Sequence, residues 1–111
     1  MRYTKKRRKT AELFVRSRLQ ELNRHYGFIY RRVVIRNQRT RWGSASLKGN
    51  LSFNYKIIFL PPQLADYLIV HELCHLKEMN HSKRFWALVA ETVADPKKAR
   101  RQLRHFALHL R

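Results

Sequence analysis

The chain has 111 residues, enough for one domain, and at 44% hydrophobic content it supports a single modest core. Twenty-five Lys and Arg face seven Asp and Glu, giving a net charge of +18 and a pI near 11.3. Such a field attracts polyanions or acidic proteins. No stretch approaches the roughly 18 apolar residues of a membrane span. The basic N-terminus is followed only by Leu13-Phe14-Val15 as an unbroken apolar run, too short for a signal peptide. The single cysteine, Cys74, excludes an intrachain disulfide and suits a reducing compartment. These features point to a cytoplasmic protein without a membrane partner.

Residues 1–9 read as a basic tail around Lys5-Lys6-Arg7-Arg8-Lys9, and residues 10–111 as one domain. Thr10 is the expected N-cap of a first helix, with Glu12 in its first turn. Val15, Leu19, Leu22 and Tyr26 share one face of that helix, and Gly27 ends it. Phe28 to Arg36 is rich in β-branched and aromatic residues and reads as a strand. Arg39 to Ser46 and Asn50 to Lys56 read as two more, joined through Lys48-Gly49-Asn50. Pro61-Pro62 stops the sheet and opens a second helix, where Leu64, Leu68, Ile69 and Leu73 supply the buried side. A third helix is expected from about Ser82 and a fourth from about Lys97. The fourth has Ala99, Leu103, Phe106 and Leu110 inward and Arg100, Arg101 and Arg104 outward. The order is helix, three short strands, three helices: an α+β domain with an antiparallel or mixed sheet.

The second helix carries His71-Glu72-Leu73-Cys74-His75. Residues four apart stand about 40° apart around a helix and one turn along it, so two imidazoles converge on one ion. Glu72 lies about 60° around from His75, where its carboxylate reaches a water without binding the metal. Two ligands and a general base on one turn are the physical content of this pattern. Chance supplies about 0.014 such matches in a chain of this composition, so the motif is a strong signal. His105 and His109 have the same spacing, but Phe106 stands where the glutamate must be; they read as ordinary residues of a basic helix.

A catalytic zinc site holds three protein ligands and leaves a position for water. His81 is the favoured third ligand and Glu91, on the next helix, its rival. A straight helix would point His81 about 80° away from His71. The chain must therefore bend near Glu78-Met79-Asn80, and Asn80 tolerates a left-handed conformation there. Arg41, Asn54 and Tyr55 are candidates for stabilising an oxyanion. Trp42, Phe85 and Trp86 read as core, and Cys74 as a small packing residue.

His71-Glu72-Leu73-Cys74-His75 with Asn80-His81-Ser82 and Phe85-Trp86 resembles the YgjP-like metallopeptidases, relatives of the SprT-like zinc proteases. Arg41-Trp42-Gly43-Ser44, Ser46, Leu60-Pro61 and Asp66-Tyr67 fit the same family's upstream pattern. The resemblance implies a zincin-type fold with a small sheet packed on the active-site helix. It also implies one zinc held by His71, His75 and His81, and peptide-bond hydrolysis through a zinc-activated water with Glu72 as general base. Ala45 departs from the family, which usually has cysteine there. The family often carries more sequence before the tryptophan-glycine motif, so strands shaping the cleft are expected to be reduced.

The charge supports a second class of function, a basic nucleic-acid-associated protein with a structural or vestigial metal site. An intact Glu72 argues against it, because a structural site needs no base. No helix-turn-helix, zinc-finger or RNP signature is present. The two readings meet in a protease acting on nucleic-acid-bound proteins. The partners implied are a peptide or protein substrate and, through the basic surface, nucleic acid or another polyanion.

Overall fold

The computed structural model describes residues 2–106. Its elements run α1 (Lys5–Tyr26), β1 (Arg32–Arg36), β2 (Gly43–Ala45), β3 (Asn50–Asn54), a 3-10 turn (Tyr55–Phe59), α2 (Pro62–Cys74), α3 (Lys83–Ala90) and α4 (Pro96–His105). This is the α+β order expected from the sequence. Among the described residues no helix is long and apolar enough to cross a membrane. The inward position expected for Leu110, and the His109 of the second histidine pair, lie outside the described residues.

The first helix starts at Lys5, not after Thr10, and so takes in the basic run. Thr4 caps it by accepting the Arg7 N–H at 3.1 Å. No acid sits in its first turn. Glu12 offsets the crowded bases from within, lying 3.8 Å from Arg8, 3.9 Å from Lys9 and 3.2 Å from Arg16. Ala11, Val15 and Leu19 are fully buried on one face. Gly27, at φ 66°, returns its N–H to the Asn23 carbonyl and ends the helix.

The sheet is mixed, in the order β1-β3-β2. β1 runs parallel to β3, pairing Val33 with Leu51 and Ile35 with Phe53. β2 runs antiparallel to β3, pairing Gly43 with Phe53 and Ala45 with Leu51. The turn between them closes through Gly49, at φ 89°. Residues 51–54 of the central strand are buried, and the core lies between the sheet, α1 and α2.

All three strands are shorter than their β-propensity suggests, and two asparagines give the reason. Asn23 bonds the backbone of Phe28 twice, at 2.8 and 2.9 Å, holding it in a helix exit rather than in a ladder. Asn54 donates its amide to the Gln38 and Arg41 carbonyls, at 2.7 and 3.0 Å, which keeps residues 38–41 out of β2. Its side-chain oxygen also accepts the Lys56 N–H at 3.1 Å, turning the chain into the 3-10 segment where strand had been expected.

Helix α2 begins behind Pro61-Pro62 and buries nine of its thirteen residues. It is tied to α1 by a two-pronged ion pair from Arg18 to Asp66 at 2.9 and 2.8 Å. Ser82 caps α3 through the Phe85 N–H, and Asp95 caps α4 through the Lys98 N–H.

Candidate metal centre and cleft

The three histidines singled out in the sequence meet. His75 Nε2 lies 3.0 Å from His81 Nε2, which lies 3.2 Å from His71 Nε2. The ligand atoms of this set all fall within 4.8 Å of one another. Helix α2 ends at Cys74, earlier than the bend expected at Glu78 to Asn80. The chain then turns through His75 to Glu78 and brings His81 back over the helix end. Asn80 does not use the left-handed region, since no described non-glycine residue has positive φ.

Second partners orient two of the rings. His75 Nδ1 is 3.0 Å from the Glu78 carbonyl, which makes Nδ1–H the donor and leaves Nε2 a bare acceptor. His71 Nδ1 is 3.1 Å from Glu72 Oε2, with the same consequence. Lone pairs of neutral imidazoles facing one another at 3.0–3.2 Å repel unless a proton or cation lies between them. Nitrogen ligands about 2.0–2.1 Å from a tetrahedral ion stand about 3.3 Å apart, so the spacing suits a metal such as zinc. Burial holds the His75 imidazolium below its usual range. Burial, and then the neighbouring His71 and His75, do the same for His81. Both effects favour the neutral, ligating form.

Phe85 and Trp86 do more than fill the core. Phe85 is fully buried and stacks on His75 at 4.3 Å and 22°. Trp86 is half-buried and stacks on His81 at 5.8 Å and 25°. The start of α3 is thus an aromatic platform for two of the three imidazoles.

Glu72 is 5% exposed. Its carboxylate sits under β2, where Gly43 allows the approach. A Cβ on Gly43 would stand 2.9 Å from the Ser52 carbonyl oxygen, 3.1 Å from Glu72 Cγ and 3.3 Å from Glu72 Oε2. The glycine of the tryptophan-glycine pair is therefore a spacing device for the carboxylate. The sequence alone left it without a role.

Glu91, the rival ligand, is elsewhere. It pairs with His25 at 2.8 Å and so joins the far ends of α3 and α1. It takes no part in the histidine cluster. Glu78 contributes its carbonyl rather than its carboxylate. Cys74 is fully buried, and burial pushes its thiol up to about 12, which makes it inert packing at neutral pH.

A cleft of about 570 Å³ opens over the histidines. One wall is Arg41 through Ala45, the floor is α2 with Tyr67, Leu68 and Glu72, and the other wall is α4. Trp42 lines this cleft while packing on the core. Burial pushes the Tyr67 phenol up to about 12. Of the three residues weighed for an oxyanion role, Arg41 alone lines the cleft. Asn54 is 1% exposed and committed to residues 38–41, and Tyr55 packs against Tyr3 and Phe59. Arg100 and Arg104, expected on the outer face of α4, line the cleft.

A histidine cluster with a buried neighbouring carboxylate, open to a cleft beneath a short edge strand, defines a metallopeptidase type of domain. Comparison places the chain further: residues 2–106 match the YgjP-like metallopeptidase domain, and the chain belongs to that family. No curated protein matches it. Its fold is similar to the crystal structure of the metallopeptidase zymogen of Pyrococcus abyssi abylysin. The TM-score is 0.72 and the identity 24%, over 80% of this chain and 90% of that one.

Proposed function

We propose that the protein is a zinc-dependent peptidase in which His71, His75 and His81 hold the metal and Glu72 is the general base. The observation that carries this reading is the convergence of three Nε2 atoms beside a buried carboxylate. Zinc in such a set supplies Lewis acidity to a water and to the scissile carbonyl. Glu72 then takes the proton of the attacking water and returns it to the leaving amine. The carboxylate is kept from bulk water by β2, stands one residue from a ligand, and meets His71 Nδ1 through Oε2 at 3.1 Å.

The short strand β2 pairs with β3 on one side only. Its other edge borders the cleft. An extended peptide laid there gains backbone hydrogen bonds from β2 and brings a carbonyl over the histidines.

Metal analysis is expected to find one zinc per chain. Glu72→Gln should keep the zinc and lose peptide hydrolysis by at least about 100-fold. His81→Ala should lose the zinc. Full zinc affinity in His81→Ala, or wild-type hydrolysis in Glu72→Gln, would refute the assignment of that residue.

A further inference from the structure

We infer that the cleft selects peptides carrying acidic side chains beside the bond to be cut, through Arg41 on one wall and Arg100 and Arg104 on the other. This rests on the peptidase reading of the cleft. All three arginines line it, and Glu72 is the only carboxylate that does so among the described residues. Arg100 and Arg104 are four apart on α4, so they project from one face of the helix. Arg41 faces them across the cleft, its carbonyl fixed by the Asn54 amide at 3.0 Å. Arg100 is steadied by the Trp86 ring, 5.7 Å from its guanidinium carbon.

Among the described residues no carboxylate pairs with these arginines. The chain has seven acids. Glu12, Glu21, Asp66 and Glu91 pair with bases on α1. Glu72 contacts His71, and Asp95 caps α4. Only Glu78 is left, and its side chain does not line the cleft. Three guanidiniums around the cleft repel one another, and would repel a cation held by the histidines. Their cost is offset when an anion enters with the substrate. Guanidinium forks fit carboxylates in two-pronged geometry, which lysines at these places would not. Acidic residues on both sides of the scissile bond would meet arginine from both walls.

The test compares two labelled peptides, one with glutamates flanking a central bond and its glutamine isostere. Their binding to zinc-loaded Glu72→Gln protein is read by fluorescence anisotropy, and their hydrolysis by wild-type protein is followed in parallel. The acidic peptide should bind about tenfold tighter or more, the effect of one charge-assisted contact. The Arg100→Gln, Arg104→Gln double variant should erase most of that difference. Lys5→Gln, Lys6→Gln, which removes the same charge away from the cleft, should leave it intact. Equal affinity for the two peptides, or equal losses in both double variants, would overturn the inference by making the preference one of net charge. Competition by oligodeoxythymidine through the same two arginines would overturn it in favour of a phosphate polymer. If neither peptide is cut while the arginine-dependent preference persists, the peptidase reading fails and the selectivity of the cleft stands.

Discussion

The smallest change with the largest expected effect on chemistry is one methyl group at residue 43. Gly43 does not need glycine for its backbone angles, because its φ is not positive. It needs glycine for space, with the Ser52 carbonyl and the Glu72 side chain on the side where a Cβ would grow. The carbonyl belongs to the β3 ladder and cannot swing away, so in Gly43→Ala either β2 lifts or the carboxylate is displaced. Overpacking of this kind costs about 1–3 kcal/mol of stability. Shifting a catalytic group by about 1 Å costs about 100-fold in rate. His75 and His81 are held away from this contact by the Glu78 carbonyl, Phe85 and Trp86, and only His71, whose Nδ1 meets Glu72 Oε2 at 3.1 Å, adjoins it. Gly43→Ala is therefore expected to fold, keep its zinc and lose about 100-fold in kcat/KM, read by kinetics beside metal content. A variant with normal kinetics would show that β2 does not set the position of Glu72.

At the scale of elements, local chemistry was legible and tertiary choices were not. The proline pair marked the start of α2, Gly27 the end of α1 and Lys48-Gly49-Asn50 the turn, because each acts within a few residues. His71 and His75 were legible for the same reason: one helical turn fixes their spacing. Strand lengths were obscured by Asn23 and Asn54, whose amides capture carbonyls that propensity assigns to a ladder. Glu91 could not be separated from His81 in sequence, because its partner His25 is 66 residues away. The face that α4 turns to the cleft depends on how it docks on α2. The same long-range contacts set a further expectation. Tyr26 donates its hydroxyl to the Leu88 carbonyl at 2.6 Å and meets the Thr92 hydroxyl at 2.8 Å, latching α1 to the end of α3. Burial raises the Tyr26 phenol pKa, so the donor stays protonated at neutral pH. Tyr26→Phe keeps the ring and removes both hydroxyl bonds, leaving the Leu88 carbonyl only the Glu91 N–H at 3.1 Å; two hydrogen bonds lost cost about 1–2 kcal/mol. The Arg18–Asp66 pair is a third exposed on each side, so Arg18→Met should cost less, about 0.5–1 kcal/mol. Thermal melts should rank Tyr26→Phe below Arg18→Met. The reverse order would mean that the ion pair, not the hydroxyl latch, holds α1 in place.

At the scale of the molecule, +18 of charge sits on a body whose described residues span 37 × 29 × 22 Å. Two opposing effects respond to salt. The ion pairs are mostly exposed, each worth about 0–1 kcal/mol, and salt weakens them. The repulsion among the excess bases is also screened, which stabilises the folded state. Range decides which effect wins. The pairs lie within 4 Å and are screened late, whereas repulsion acts across the whole molecule. At about 0.01 M salt the screening length is about 30 Å, comparable with the protein's own dimensions; at about 0.15 M it is about 8 Å. Repulsion between faces therefore disappears over this range while the contacts survive. The melting temperature should rise, and about 1 kcal/mol of relieved repulsion corresponds to about 4–8 °C for a domain of this size. Sulfate at equal ionic strength should raise it further by binding the cleft arginines, and Arg100→Gln, Arg104→Gln should remove that extra increment while keeping most of the chloride effect. A melting temperature that is flat or falls with sodium chloride would mean that the short pairs, not the net charge, dominate the electrostatics of this fold.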